Sequence, residues 1–85
     1  MEYIVVAYRS RESTIKLHEI LLRFGINNQI INTPKEAGVG CGLSVKIEKN
    51  NFLFVRRIVF KINLKSFAGF FEVKTVGAKR IVRSI

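Results

Sequence analysis

The hydrophobic and polar positions fall into alternating short runs of strand and helix character. Tyr3 to Tyr8 is β-branched and aromatic without a polar break, which predicts a central strand covered on at least one face. Ser10 and Ser13 then offer hydroxyl N-caps. Ile15, Leu17, Leu21, Leu22 and Phe24 recur near the helical period until Gly25, so a helix is predicted from about residue 11 to about residue 24. Ile26 to Asn32, bounded by Gly25 and Thr33-Pro34, reads as a second strand, and Thr33 to Gly42 as a glycine-shaped loop. Leu43 to Ile47 alternates apolar and polar residues, the pattern of a strand with one wet face. Asn50 or Asn51 can cap a second helix with Phe52, Val55, Val59 and Ile62 on its face; its β-branched and aromatic content leaves a strand as the alternative. Phe67 to Lys74 reads as a fourth strand with a possible bulge at Gly69, and 76–85 as a short basic tail able to pair as an extra edge strand.

The order β-α-β-β-α-β predicts an α+β, ferredoxin-like sandwich. Two right-handed crossovers interleave into a four-stranded antiparallel sheet with both helices on one face. Residues 1–85 are expected to form a single domain, since a chain of this length buries only about 60–65 % of its unfolded surface. This topology brings the loop after strand two to the edge where strand one ends and helix one begins, near Arg9 and Ser10. The end of helix two reaches the same edge and brings Lys65 and Ser66 within range.

Composition narrows the classes. Hydrophobic residues make up 48 % of the chain, with seven Phe and two Tyr, enough for a core. No apolar stretch reaches a membrane-spanning length, because Arg56, Arg57, Lys61 and Asn63 interrupt the longest one, and the N-terminus lacks a signal-peptide pattern. One cysteine makes no internal disulfide, so the cytoplasm is the expected compartment and no membrane association is expected. The net charge of +9 is uneven: residues 1–42 carry five Lys/Arg against four Glu, and residues 43–85 carry ten against two. Such a field attracts nucleic acid or an acidic protein, or simply keeps the surface solvated.

The chemistry converges on Cys41. A thiol becomes nucleophilic when a helix N-terminus, backbone N–H groups or cations favour its anion, and this loop lies where Arg9, Ser10 and Lys35 can contribute. Gly40 and Gly42 permit left-handed backbone and close approach of a partner. The plainer alternative is a small buried cysteine opening strand three. One Cys, one His and few carboxylates make no metal ligand set, and the glycines fit no phosphate-loop or dinucleotide pattern, so neither metal nor cofactor is expected. His18 reads as a partly exposed helical residue. Glu12, Glu19 and Glu36 have no acid–base spacing.

Thr33-Pro34-Lys35-Glu36 followed by Cys41-Gly42-Leu43-Ser44-Val45-Lys46 resembles the Thr-Pro-Arg … Cys-Gly-Leu-Ala pattern of the selenium/sulfur carrier-like family of small bacterial proteins. Tyr3-to-Ser10 and Leu21-to-Ile26 are similar to that family's opening strand and helix end, so the resemblance covers roughly residues 3–48. It implies a carrier that accepts sulfur or selenium at Cys41 from a donor protein and passes it to an acceptor, with Thr33, Pro34, Gly40 and Gly42 shaping the loop. The chain differs in Gly38-Val39-Gly40, where members tend to be serine-rich, and in its basic second half. Two other readings stand beside it. An RNA-binding module shares the strand order and the charge, but the third strand carries no stacking aromatic, and the echo of an RNA-recognition signature in Lys65-to-Phe71 falls in the last strand. A small regulatory or interaction protein would be favoured by an exposed Phe70 or Phe71.

Overall fold

The computed structural model describes residues 1–40 and 42–85. In chain order the elements are β1 (Glu2–Tyr8), α1 (Arg11–Arg23), β2 (Asn28–Asn32), a 3-10 turn (Lys35–Ala37), β3 (Leu43–Ile47), a second 3-10 turn (Lys49–Asn51), α2 (Phe52–Ile62), β4 (Phe67–Val76) and β5 (Lys79–Ser84). The strands form one antiparallel sheet in the order β2-β3-β1-β4-β5. The first four follow the ferredoxin-like arrangement. The sheet has five strands rather than four because the tail forms the extra edge strand open to it, residues 79–84 pairing along β4 from Val76↔Lys79 to Phe71↔Ser84.

Local chemistry accounts for α1. Ser10 keeps an extended backbone and its Oγ accepts from the Ser13 N–H at 3.3 Å. At the far end Gly25 takes φ +74°, its N–H donates to the Leu22 carbonyl, and the Ile26 N–H donates to the Leu21 carbonyl, a left-handed stop that leaves Leu21 and Ile26 in one core. Ile26 therefore closes the helix, and the second strand begins two residues later than the apolar run predicts.

The segment 52–62 is helical because Val55, Ile58 and Val59 all turn onto the sheet, an arrangement that a two-residue period does not produce. Neither Asn50 nor Asn51 caps it with a side chain. A 3-10 turn leads straight into the helix, and Asn51 is itself in the helical region. The exit is made by Asn63 in the left-handed region, whose N–H reaches the Val59 carbonyl at 3.1 Å.

Both faces of the sheet are buried. Ile4, Val6 and Tyr8 face the helices with Leu17, Leu21, Val45, Ile47, Val55, Val59 and Phe70. Val5, Ala7, Phe71 and Val73 face the other way, into a thinner layer completed by Ile31, Ala37, Val39, Ala68 and Val82. The loop after β2 thus folds back over the face that the helices leave open. For this reason strand three has no wet face at Ser44, which is 0 % exposed. The expected bulge is present: Ala7 pairs with Gly69 and Tyr8 with Phe67, so Ala68 is the extra residue, and Gly69 sits at φ +137°.

Tyr8 is buried, its hydroxyl has no hydrogen-bond partner among the described residues, and burial pushes its pKa up to about 12. Replacing it with Phe removes an unsatisfied polar atom while keeping the ring against Phe67, so Tyr8→Phe is expected to match the parent in urea denaturation or exceed it by about 1 kcal/mol. A loss larger than that would mean that the hydroxyl has a partner.

Candidate functional site

The loop from Thr33 to Gly42 starts and ends on a pinned neck. The Thr33 N–H donates to the Gly42 carbonyl at 3.2 Å, and Thr33 Oγ1 lies 2.6 Å from the buried Ser44 Oγ. Pro34, also buried, launches the 3-10 turn Lys35–Ala37, and Gly38 and Gly40 both sit at φ +66°. Of the two glycines flanking the cysteine, Gly40 uses that left-handed freedom. A methyl group at either would meet no atom within 4 Å, which leaves open space on both sides. Cys41 itself lies outside the described residues.

The apex is tied down from the far end of the sequence. Glu36 receives Arg80 of β5 through two bonds, Nη2 to Oε1 at 2.7 Å and Nε to Oε2 at 3.0 Å. The Arg80 guanidinium holds the Glu36 carboxyl below the usual carboxylate range. The basic tail thereby becomes part of the loop's support, which no local pattern announces. Ala37 and Val39 press the loop onto Val5, Ala7, Phe71 and Val73.

At the neck, Gly42 and Leu43 line a cleft of about 340 Å3 together with Tyr8, Arg9, Arg11 and Asn32. Arg9, expected near the loop, is here, anchored by its N–H to the Ser66 carbonyl at 2.8 Å. Ser10 uses its hydroxyl to cap α1. Lys35 opens the 3-10 turn and is not among the residues lining this cleft. Lys65 borders a different hollow with Glu12, Ser13, Lys16, Asn63 and Leu64, and its carbonyl accepts from Ser13 Oγ at 2.9 Å. Arg11 and Asn32 were not singled out from the sequence, since only the junction of β1, α1 and β2 brings them together. His18 Nδ1 lies 2.6 Å from Asn28 Oδ1, a structural pair on the α1–β2 side.

A second feature lies on the outer surface of α2. Leu53, Phe54, Arg56, Arg57, Phe60 and Lys61 are all exposed, Leu53 to 75 %, and this helix contains no acidic residue. Phe54 meets Phe24, the residue that follows α1, edge-on at 5.8 Å, and the Arg56 guanidinium stands over the Phe60 ring at 4.9 Å. Phe70 and Phe71, whose exposure would have favoured an interaction protein, are both buried.

The five-stranded antiparallel sheet, the two helices on one of its faces and the Thr33-to-Gly42 loop pinned at its neck define a small α+β protein. Residues 2–69 match the family described as Putative Se/S carrier protein-like, and the chain belongs to that family. No curated protein and no solved structure matches it. Among the described residues no helix is long and apolar enough to cross a membrane.

Proposed function

We propose that this protein is a cytoplasmic carrier of sulfane sulfur or selenium, loaded at Cys41 by one protein and unloaded by another. The observation that carries the reading is the match over residues 2–69, which includes the whole Thr33-to-Leu43 loop, in a chain where Gly42, next to the cysteine, borders a cleft lined by two arginines. In the transfer, the Cys41 thiolate attacks the outer sulfur of a donor persulfide. A new S–S bond forms at Cys41, the donor's S–S bond breaks, and the donor cysteine leaves as a thiolate. Discharge to an acceptor thiol repeats the exchange in the other direction. Thr33 and Pro34 hold the loop, Gly40 and Gly42 leave room for the partner's chain, and Arg9 and Arg11 favour the anionic sulfur.

The covered sheet face weighs against the RNA-binding alternative. That face of a ferredoxin-like sheet is where an RNA-recognition module stacks bases, and here Phe71 is buried in the layer that Ala37 and Val39 help to complete.

The test is intact-mass analysis after incubation with a cysteine desulfurase and cysteine. The wild-type protein is expected to gain one sulfur atom that a reductant removes, and Cys41→Ser to gain none. An unloaded wild type, or an equal adduct on the serine variant, would sink the carrier reading.

A further inference from the structure

Several cations have a carboxylate neighbour: Lys49 bridges Glu2 and Glu72, Arg83 meets Glu72, and Arg80 meets Glu36. The cleft at the β1–α1 junction is different. It is lined by Arg9 and Arg11, neither guanidinium has an acceptor among the described residues, and no carboxylate lines it. Asn32, also part of the lining, carries a side-chain amide. The cleft lies at the head of α1, where Ser10 satisfies the Ser13 N–H and leaves the Arg11 and Glu12 N–H groups without intrahelical acceptors. Two unneutralised guanidiniums, free N–H groups at the positive end of a thirteen-residue helix and a volume of about 340 Å3 match the size and charge of one small multiply charged anion with a few waters.

We propose that this cleft binds a small tetrahedral oxyanion, and that thiosulfate held there is a small-molecule sulfur donor for Cys41. The binding half stands on the cleft alone, whereas the donor half rests on the carrier reading. Arg9 and Arg11 hold the sulfonate oxygens and spread their charge. The Cys41 thiolate attacks the outer, sulfane sulfur of thiosulfate. A new S–S bond forms at Cys41 while the S–S bond of thiosulfate breaks, and its electron pair departs with sulfite, so no external oxidant or reductant enters. The guanidiniums that bind the incoming dianion also stabilise the sulfite as it leaves, because negative charge moves onto the oxygens they hold.

The experiment uses the full chain with Cys41→Ser, titrated with sulfate and with thiosulfate at constant ionic strength and followed by amide chemical shifts. Saturable shifts are expected at Arg9, Arg11, Glu12, Asn32 and Gly42. Arg9→Ala/Arg11→Ala should weaken binding by about tenfold or more per guanidinium removed. Lys16→Ala/Lys65→Ala, which removes the same charge from the neighbouring hollow, should leave it unchanged. Shifts spread over the cations of residues 43–85, or equal loss in both double variants, would overturn the site. So would a short oligouridine that saturates these amides where neither small anion does, since the ligand would then be a nucleic-acid phosphate. With the wild-type protein, thiosulfate should release one sulfite per reducible sulfur gained. Normal loading by a desulfurase without anion binding would remove this inference and leave the carrier reading intact. Anion binding without loading from either donor would leave the oxyanion site and remove the carrier.

Discussion

Reversing Arg56 and Arg57 to glutamate is expected to slow sulfur loading from a desulfurase by roughly 10- to 100-fold at low ionic strength, and by progressively less as salt is added. The two guanidiniums stand on the outer face of α2 among the exposed Leu53, Phe54 and Phe60, on a helix without a carboxylate, so the change inverts the field a large acidic partner meets first. Alkylation of Cys41 by iodoacetamide, a small neutral reagent, is expected to stay at the wild-type rate, because neither arginine lines the cleft at Gly42. Measuring both rates on the same preparation separates docking from thiol reactivity. Equal slowing of the two would place the effect in the loop and remove α2 as the docking face.

Phe71→Ala is expected to cost about 3–5 kcal/mol of folding stability in urea denaturation. For 85 residues the whole stability is roughly 4–13 kcal/mol, so the variant would lie near the edge of folding at 37 °C. The size of the effect depends on the second hydrophobic layer. Phe71 is 6 % exposed, packs in the layer of Val5, Ala7 and Val73, and its ring edge lies 3.3 Å from where a Cβ on Gly69 would stand. If that face were bare, as in a sandwich with helices on one side only, the same substitution would cost less than 1 kcal/mol. Because Ala37 and Val39 of the loop complete this layer, Phe71→Ala should also loosen the loop. Faster alkylation of Cys41 at denaturant concentrations below the unfolding transition would report that coupling, and an unchanged rate would separate the loop from the layer beneath it.

The candidate site was legible in parts that depend on neighbours in sequence. Thr33, Pro34 and the glycines were readable because proline and glycine restrict or free the backbone at their own positions, and the family pattern runs through consecutive residues. Arg9 was found because topology alone brings the end of one strand near the start of another. Arg11 and Asn32 were missed. Each is unremarkable beside its own neighbours, one on the first turn of a helix and the other at the last position of a strand, and only the meeting of three elements gives them a common wall. The Glu36–Arg80 pair was equally silent, since 44 residues separate two surface charges whose contact needs β5 to lie alongside β4.

The sequence by itself determined where α1 begins and ends, the bounds of β3, and the crossover order, because a serine cap, a left-handed glycine and the two hydrophobic periods act over four residues or fewer. Only the tertiary structure decided three matters: that Ile26 belongs to a helix stop, that residues 52–62 are a helix, and that residues 79–84 are a fifth strand. It also decided that the loop covers the second face of the sheet. In each of these, competing local preferences differ by no more than about 1 kcal/mol, and burial of side chains against residues distant in the chain outweighs that difference.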